Sequence, residues 1–226
     1  MSSLVSALLS AAPSKSDTAQ TPAWLNLLET VFSSDSPTFP TDKDLETGFK
    51  TVFSYLESSD ISIRASTSVA LAALLSHSLT HPIIEAAVAE HGLKKPKSPL
   101  GKIVMHVRTS LDALSYARAV PQMLAVLASF IRALRFRPPA SIDLPRTAAE
   151  HLLLDLVQKT GELRVKKGFE HKEAADEVLK AAMSVLGPEV LFRVLPLRLM
   201  PEDRCVASCL TSSDSELSIT PQRHRL

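Results

Sequence analysis

The sequence predicts an all-α fold, an α-α superhelix of about four stacked helix pairs, and three observations carry that prediction. Six Gly stand against fifteen Pro, and aromatic residues make up only 5% of the 226 residues. Sandwiches and barrels need frequent tight turns and strands rich in aromatic and β-branched residues, so this composition disfavours them. Apolar residues recur at helical spacing almost throughout the chain. The helical stretches also begin at a nearly constant interval, near 22, 42, 62, 82, 101, 121, 146 and 171.

Taken in order, the start MSSLVSALLSAAPS is apolar but lacks a basic leader, so residues 1–20 read as a flexible or helical N-terminus rather than a secretory signal. The repeat region is expected over 21–200. Its first helix spans Pro22 to Phe32. In the second, Leu45, Phe49, Val52, Phe53 and Leu56 fall at i, i+4, i+7, i+8 and i+11 and form one stripe, with Thr41 as a plausible N-cap. Ser62 is a plausible N-cap for a third helix reaching Leu79, and Pro82 to His91 forms the next. Ile103, Val104, Val107, Leu111 and Leu114 mark another stripe, as do Met123, Leu124, Leu127, Ile131 and Leu134. Two further helices are expected over Arg146 to Lys166 and His171 to Leu186, with Pro145 and Pro188 in first-turn positions. Val185 to Met200 is apolar and has no polar capping helix, so this end of the array is expected to be adhesive. Residues 201–226, PEDRCVASCLTSSDSELSITPQRHRL, are Ser/Thr-rich and aperiodic, which predicts a disordered tail.

One helix every 20 to 25 residues means one pair every 40 to 47, the period of HEAT and armadillo arrays. A single helix pair cannot bury its own apolar face, so neighbouring pairs stack and share a continuous core. The segment DISIRASTSVALAAL also resembles the turn and second helix of a HEAT repeat. There Asp60 and Arg64 would tie consecutive repeats together, while Ala65, Ala70, Ala72 and Ala73 allow close helix approach.

Charge is distributed unevenly. The chain carries a formal +1, yet residues 91–142 hold nine basic residues and a single acid, Asp112. The first third is correspondingly acidic. The basic block opens with the Pro-broken stretch LKKPKSPLGK, and a smaller group follows at Arg164, Lys166, Lys167 and Lys172. If equivalent loops of successive repeats line one edge, Lys94, Lys95, Lys97, Lys102, Arg108, Arg164, Lys166, Lys167 and Lys172 form one positive ridge for RNA or another acidic partner. Such a ridge binds phosphates by counterion release, in a salt-dependent way and without reading bases. Base stacking has little support in Tyr116, Phe130 and Phe136 alone.

Signatures of chemistry are missing. The sequence contains no GxxxxGK[ST], GxGxxG, GxSxG or HExxH motif. His77 and His81 stand four apart, but Ser78 occupies the place of a zincin base, and Pro82 disturbs any register with Glu85. Cys205 and Cys209, with His224 beyond, lack a standard zinc spacing and read as free thiols of a reducing compartment. Residues 65–84 carry no formal charge, yet six Ser and Thr and the closing Pro82 make them a buried helix rather than a membrane span. No enzyme activity, cofactor, metal, small-molecule substrate or membrane is therefore expected. A protein-binding solenoid is the competing expectation.

The segment FEHKEAADEVLKAAMSVLGPEVLFRVLPLRL, residues 169–199, resembles a signature of the ribosomal RNA-processing protein 12 family. The resemblance lies in the K-E-A-A run of Lys172 to Ala175, the V-L-G-P-E run of Val185 to Glu189, and the L-P-L of Leu195 to Leu197. The preceding LVQKTGELRVKKGF resembles that family too. The resemblance implies an N-terminal portion of a long HEAT-repeat protein of the nucleus and nucleolus, able to shuttle to the cytoplasm. Such proteins serve pre-ribosomal RNA processing, subunit maturation and export, and their partners are preribosomal RNA or particles and nuclear transport factors. Family members continue with further repeats after the L-P-L segment, so this chain reads as a fragment, a truncated gene model or a short variant.

Overall fold

The computed structural model describes residues 4–34, 42–93, 95–138 and 146–195. Within them the chain forms ten α-helices and no strand: α1 (Leu4–Ser10), α2 (Gln20–Phe32), α3 (Asp42–Phe53), α4 (Ile61–Ser78), α5 (His81–Ala89), α6 (Pro99–Ser110), α7 (Val120–Ala133), α8 (Ala148–Val165), α9 (Lys172–Leu186) and α10 (Pro188–Val194). Short 3-10 turns at Ser54–Glu57 and Leu114–Ala119 connect α3 to α4 and α6 to α7. The eight helix starts read from the sequence fall within two residues of those found.

Local chemistry explains the boundaries. Asp60, not Ser62, caps α4: its Oδ1 accepts from the backbone N–H of Ser62 at 2.7 Å and of Ile63 at 3.1 Å. Ser98 and Thr147 do the same for α6 and α8. Proline occupies the first turn of α5, α6, α7 and α10, where its missing N–H costs nothing. Gly187, at φ 86°, supplies the left-handed residue that lets α10 turn away from α9. The Thr41 and Pro145 assignments and the 201–226 tail lie outside the described residues.

The helices pack in two layers. In one, α2 packs on α4, α4 on α7 and α7 on α9; in the other, α3 packs on α6 and α6 on α8. The apolar interior includes the fully buried Phe32, Phe49, Phe53 and Phe130, with Phe49 and Phe53 stacked at 5.4 Å. The repeating hairpins are α3/α4, α6/α7 and α8/α9. Helix α5 is not a repeat helix but a short transverse piece at 94° to α4, set between two hairpins. The apolar stretch Leu114–Ala133 is long enough by composition to cross a membrane, but half of it is buried, and α7 packs on both α4 and α9. This is the pattern of a core helix.

Asp60 and Arg64 do not bridge repeats. Arg64, 8% exposed, donates from Nη1 to the carbonyls of Ser58 and Ser59, both at 2.8 Å. Together with the Asp60 cap, this closes the turn within its own hairpin. A different device covers the N-terminal end. Trp24 Nε1 donates to Leu8 O at 2.9 Å, Thr21 Oγ1 to Ser14 O at 2.8 Å, Tyr55 Oη to Pro13 O at 2.6 Å and Ser58 Oγ to Lys15 O at 3.0 Å. The segment after α1 is thereby strapped across α2 and the first 3-10 turn.

At the other end, α10 packs on α9, Leu191 is buried, and Phe192 remains 37% exposed. The Leu195 side chain lies over Gly161 of α8, where an added Cβ would overlap it. Gly161→Ala is therefore expected to displace Leu195 and loosen α10. Global stability should change little, because the alanine gains about 1 kcal/mol of helix propensity. Hydrogen exchange over 188–195 is the measurement, and unchanged protection there would refute this account of the docking.

Candidate nucleic-acid interface

Helix direction decides which basic residues can act together. Lys102, near the start of α6, pairs with Glu46, near the start of α3, at 2.8 Å, and Phe53 at the end of α3 meets His106 and Tyr116 beyond the middle of α6. Helices α3 and α6 therefore run parallel. Helix α8 follows the same direction: His151, in its first turn, lies 5.8 Å from His91, and Lys159, in its second half, reaches Asp112 beyond the end of α6 at 2.5 Å. The turns inside hairpins, 54–60, 111–119 and 166–171, thus line one edge. The described parts of the connections between hairpins, 79–93, 95–98, 134–138 and 146–147, line the other.

This geometry corrects the single ridge expected from the sequence. The Glu90–Gly101 connection packs against Leu152 near the start of α8, whereas Lys166, Lys167 and Lys172 follow its end. Thirteen residues of helix at 1.5 Å rise separate the two groups by about 20 Å. The reason is parity: one connection joins two hairpins and the other lies inside one.

The individual residues differ as well. Lys95 and Lys97 are exposed, as are Lys166, Lys167 and Lys172, with no ion pair among the described residues. Lys94 lies outside the described residues. Lys102 is engaged with Glu46, which also accepts from Lys50 at 2.7 Å. Burial pushes the Glu46 carboxyl up, but hydrogen bonds from Lys102 and Lys50 more than offset it, so the net shift is downward. Arg108 Nε stands 2.7 Å from Asp155 Oδ2, a contact of charges rather than an aligned hydrogen bond. Arg164 serves the fold: its side chain is 7% exposed, and its Nε and Nη2 donate to Asp176 at 2.6 and 3.2 Å, joining α8 to α9.

The edge carrying Lys95 and Lys97 holds further cations. Phe136 stacks on His81 at 4.1 Å and 17°, and its carbonyl accepts from Ala148 N at 2.8 Å. This seats the segment after α7 beside α5 and the start of α8, with Arg135 and Arg137 exposed on either side of Phe136. Arg146 is also exposed there, 3.7 Å from Glu150. His151 adds little charge near neutral pH. Its pKa is held below the usual imidazole value by burial first, then by His91 and Arg146. The parity of connections, which is readable from the order of helices, is the signal that would have grouped Lys95 and Lys97 with Arg135, Arg137 and Arg146. Among the described residues, no three His, Cys, Asp or Glu side chains are gathered to hold a metal. Cys205, Cys209 and His224 lie outside them.

Two layers of parallel and antiparallel helices, repeated as hairpins over one continuous core, define a HEAT-type helical-repeat scaffold. Residues 57–207, 151 of the 226, match the family described as "Ribosomal RNA-processing protein 12, HEAT repeats". The chain belongs to that family, and so to the HEAT-repeat scaffolds of ribosome biogenesis. No curated protein matches it.

Arg164 and Asp176 can be separated experimentally from the surface cations. Asp176→Ala takes a carboxylate away from a buried guanidinium, and should cost about 3 kcal/mol in urea unfolding, the low end for breaking a buried pair because Asp176 is partly exposed. Lys166→Glu with Lys167→Glu should stay within about 0.5 kcal/mol of the parent. Equal effects would overturn the division between structural and surface charge.

Proposed function

We propose that this chain is a non-catalytic scaffold in pre-ribosomal RNA processing, ribosomal subunit maturation and nuclear export, working in the nucleus and nucleolus and shuttling to the cytoplasm. It contacts preribosomal RNA or the preribosomal particle through basic inter-helix connections. The observation that carries this reading is the gathering of Lys95, Lys97, Arg135, Arg137 and Arg146 along one edge, where, among the described residues, Arg146 alone is ion-paired, to Glu150 at 3.7 Å. Mobile cations on a rigid rim release counterions when they meet phosphates, and they do so without base selectivity. Lys166, Lys167 and Lys172 form a second, separate contact on the opposite edge.

A protein-binding adaptor of the karyopherin type, without direct RNA contact, is the alternative. It has its own observation: Ile61, Leu114 and Val165, at 68%, 92% and 44% exposure, lie in or directly beside the three successive hairpin turns. Exposed apolar side chains at equivalent places suit a protein partner such as a nuclear transport factor better than a phosphate chain.

Fluorescence anisotropy with a labelled U20 RNA separates the two. Changing Lys95, Lys97, Arg135 and Arg137 together to Glu should weaken binding at least about tenfold near 100 mM KCl and flatten the log–log salt dependence by about 0.7 per lost phosphate contact. Leu114→Asp should leave it unaltered. Loss through Leu114→Asp, or none through the four reversals, would remove this edge as the RNA contact.

A further inference from the structure

Lys95 and Lys97 are not on a slack loop. Three contacts fix the chain around them. The Glu90 carboxylate, at the C-terminal end of α5, reaches forward and accepts the backbone N–H of both Lys97 and Ser98 through Oε2, each at 2.8 Å. The hydroxyl of Ser98 then caps α6 by accepting from Gly101 N at 3.3 Å. Between these, Pro96 turns inward over Gly101: a Cβ built on Gly101 would stand 2.6 Å from Pro96 Cβ and 2.8 Å from Ser98 Oγ. Only glycine leaves room for the proline to seat. The two lysines flanking that inward proline are exposed.

An acid placed beside two lysines is, by charge alone, a poor choice for a surface that attracts polyanions. Its geometry accounts for it, since the carboxylate spends its acceptor capacity on two main-chain amides. Its pKa is held low, chiefly by the Ser98 backbone hydrogen bond and then by the Ser98 side chain, so it remains an acceptor throughout the neutral range.

We infer that Glu90 and Gly101 are positioning residues that hold Lys95 and Lys97 as a preformed pair for two phosphates of a phosphodiester chain. The gain is entropic: a backbone already ordered need not be ordered on binding. This inference rests on the proposed RNA contact at that edge, and the test is built so that the two can fail separately.

The test uses the full chain, a labelled U20 RNA and a titration of KCl. Lys95→Ala with Lys97→Ala first asks whether the pair binds; it should weaken affinity and lower the salt slope by about 1.4, two single-strand phosphates' worth. An unchanged affinity would overturn the RNA contact at these lysines and the clamp with it. Glu90→Ala, which removes the charge and the acceptor oxygens together, then sets charge against position. Losing a carboxylate beside Lys97 makes the edge more positive, so electrostatics alone predicts tighter binding, whereas loss of positioning predicts binding weaker by about threefold to tenfold. Gly101→Ala, which changes no charge, should weaken binding in the same range. Hydrogen exchange reports whether the Lys97 and Ser98 amides have been released, and thermal unfolding confirms that each variant is folded. Weaker binding by Glu90→Ala, with faster exchange at those two amides and the salt slope retained, supports the clamp. Tighter or unchanged binding with the amides released overturns it while leaving the RNA contact standing.

Discussion

Everything in this molecule depends on burial shared between neighbours. No hairpin here closes its own core: α4 is covered by α2 on one side and α7 on the other, and α7 passes the same debt to α9. Leu71, Leu74 and Leu75 of α4, with Leu124, Leu127 and Ile131 of α7, are fully buried, and at about 25 cal/mol per Å² that interior dominates the favourable side of folding. Stability is then a chain of nearest-neighbour terms, and the two ends are its weak points. The N-terminal end is covered by a strap and the other by α10. They are built differently, by side-chain hydrogen bonds to main-chain carbonyls in one and by a leucine over a glycine in the other.

The same stacking fixes where charge can be used. Because helices alternate in direction, every connection belongs to one of two edges, and its place in the order of helices decides which. The formal charge of a segment therefore says less than its place. Of the nine basic residues between 91 and 142, the eight that are described reach several different surfaces: Lys102 and Arg108 lie on helix α6 and meet carboxylates, Arg118 lies in a hairpin turn, and Arg132 approaches Glu177 at 3.7 Å. Lys95, Lys97, Arg135 and Arg137 project from connections on the remaining edge. Arg164 has left the surface altogether, and its charge is satisfied by Asp176.

How much of this was legible from residues alone follows from the range of each interaction. Helix starts were legible to within two residues, because the 3.6-residue period and the proline punctuation are local signals, whereas the stripe read through Leu111 to Leu114 overran α6, which ends at Ser110 and leaves Leu114 exposed. The cap of α4 was misplaced by two residues because Ser62 and Asp60 are both good caps; the side chain that reaches Ile63 N decides between them. Helix α5 has the period of a repeat helix, yet at nine residues it is too short to span a layer, and its crossing of α4 cannot be seen in one dimension. Asp60 and Arg64 matched a repeat signature, but the carbonyls of Ser58 and Ser59 were nearer partners than a neighbouring repeat. The Arg164–Asp176 pair spans twelve positions and two helices, with nothing in either residue's surroundings in sequence to announce it. The grouping of basic loops failed for a different reason. Counting connections as odd or even would have divided them correctly.

The strap over the N-terminal hairpin carries one more consequence. Trp24, Thr21, Tyr55 and Ser58 supply the donors, and in these four bonds Leu8, Pro13, Ser14 and Lys15 act through their carbonyl oxygens, although Leu8 also packs against the core and Lys15 Nζ pairs with Glu57 at 2.7 Å. Every amino acid possesses that oxygen. These bonds therefore constrain the identity of the four donors more than that of Pro13 and Ser14, whereas Leu8 and Lys15 are engaged through their side chains as well. A change of letter at Pro13 or Ser14 leaves that oxygen in place, so the chain keeps its path over the hairpin.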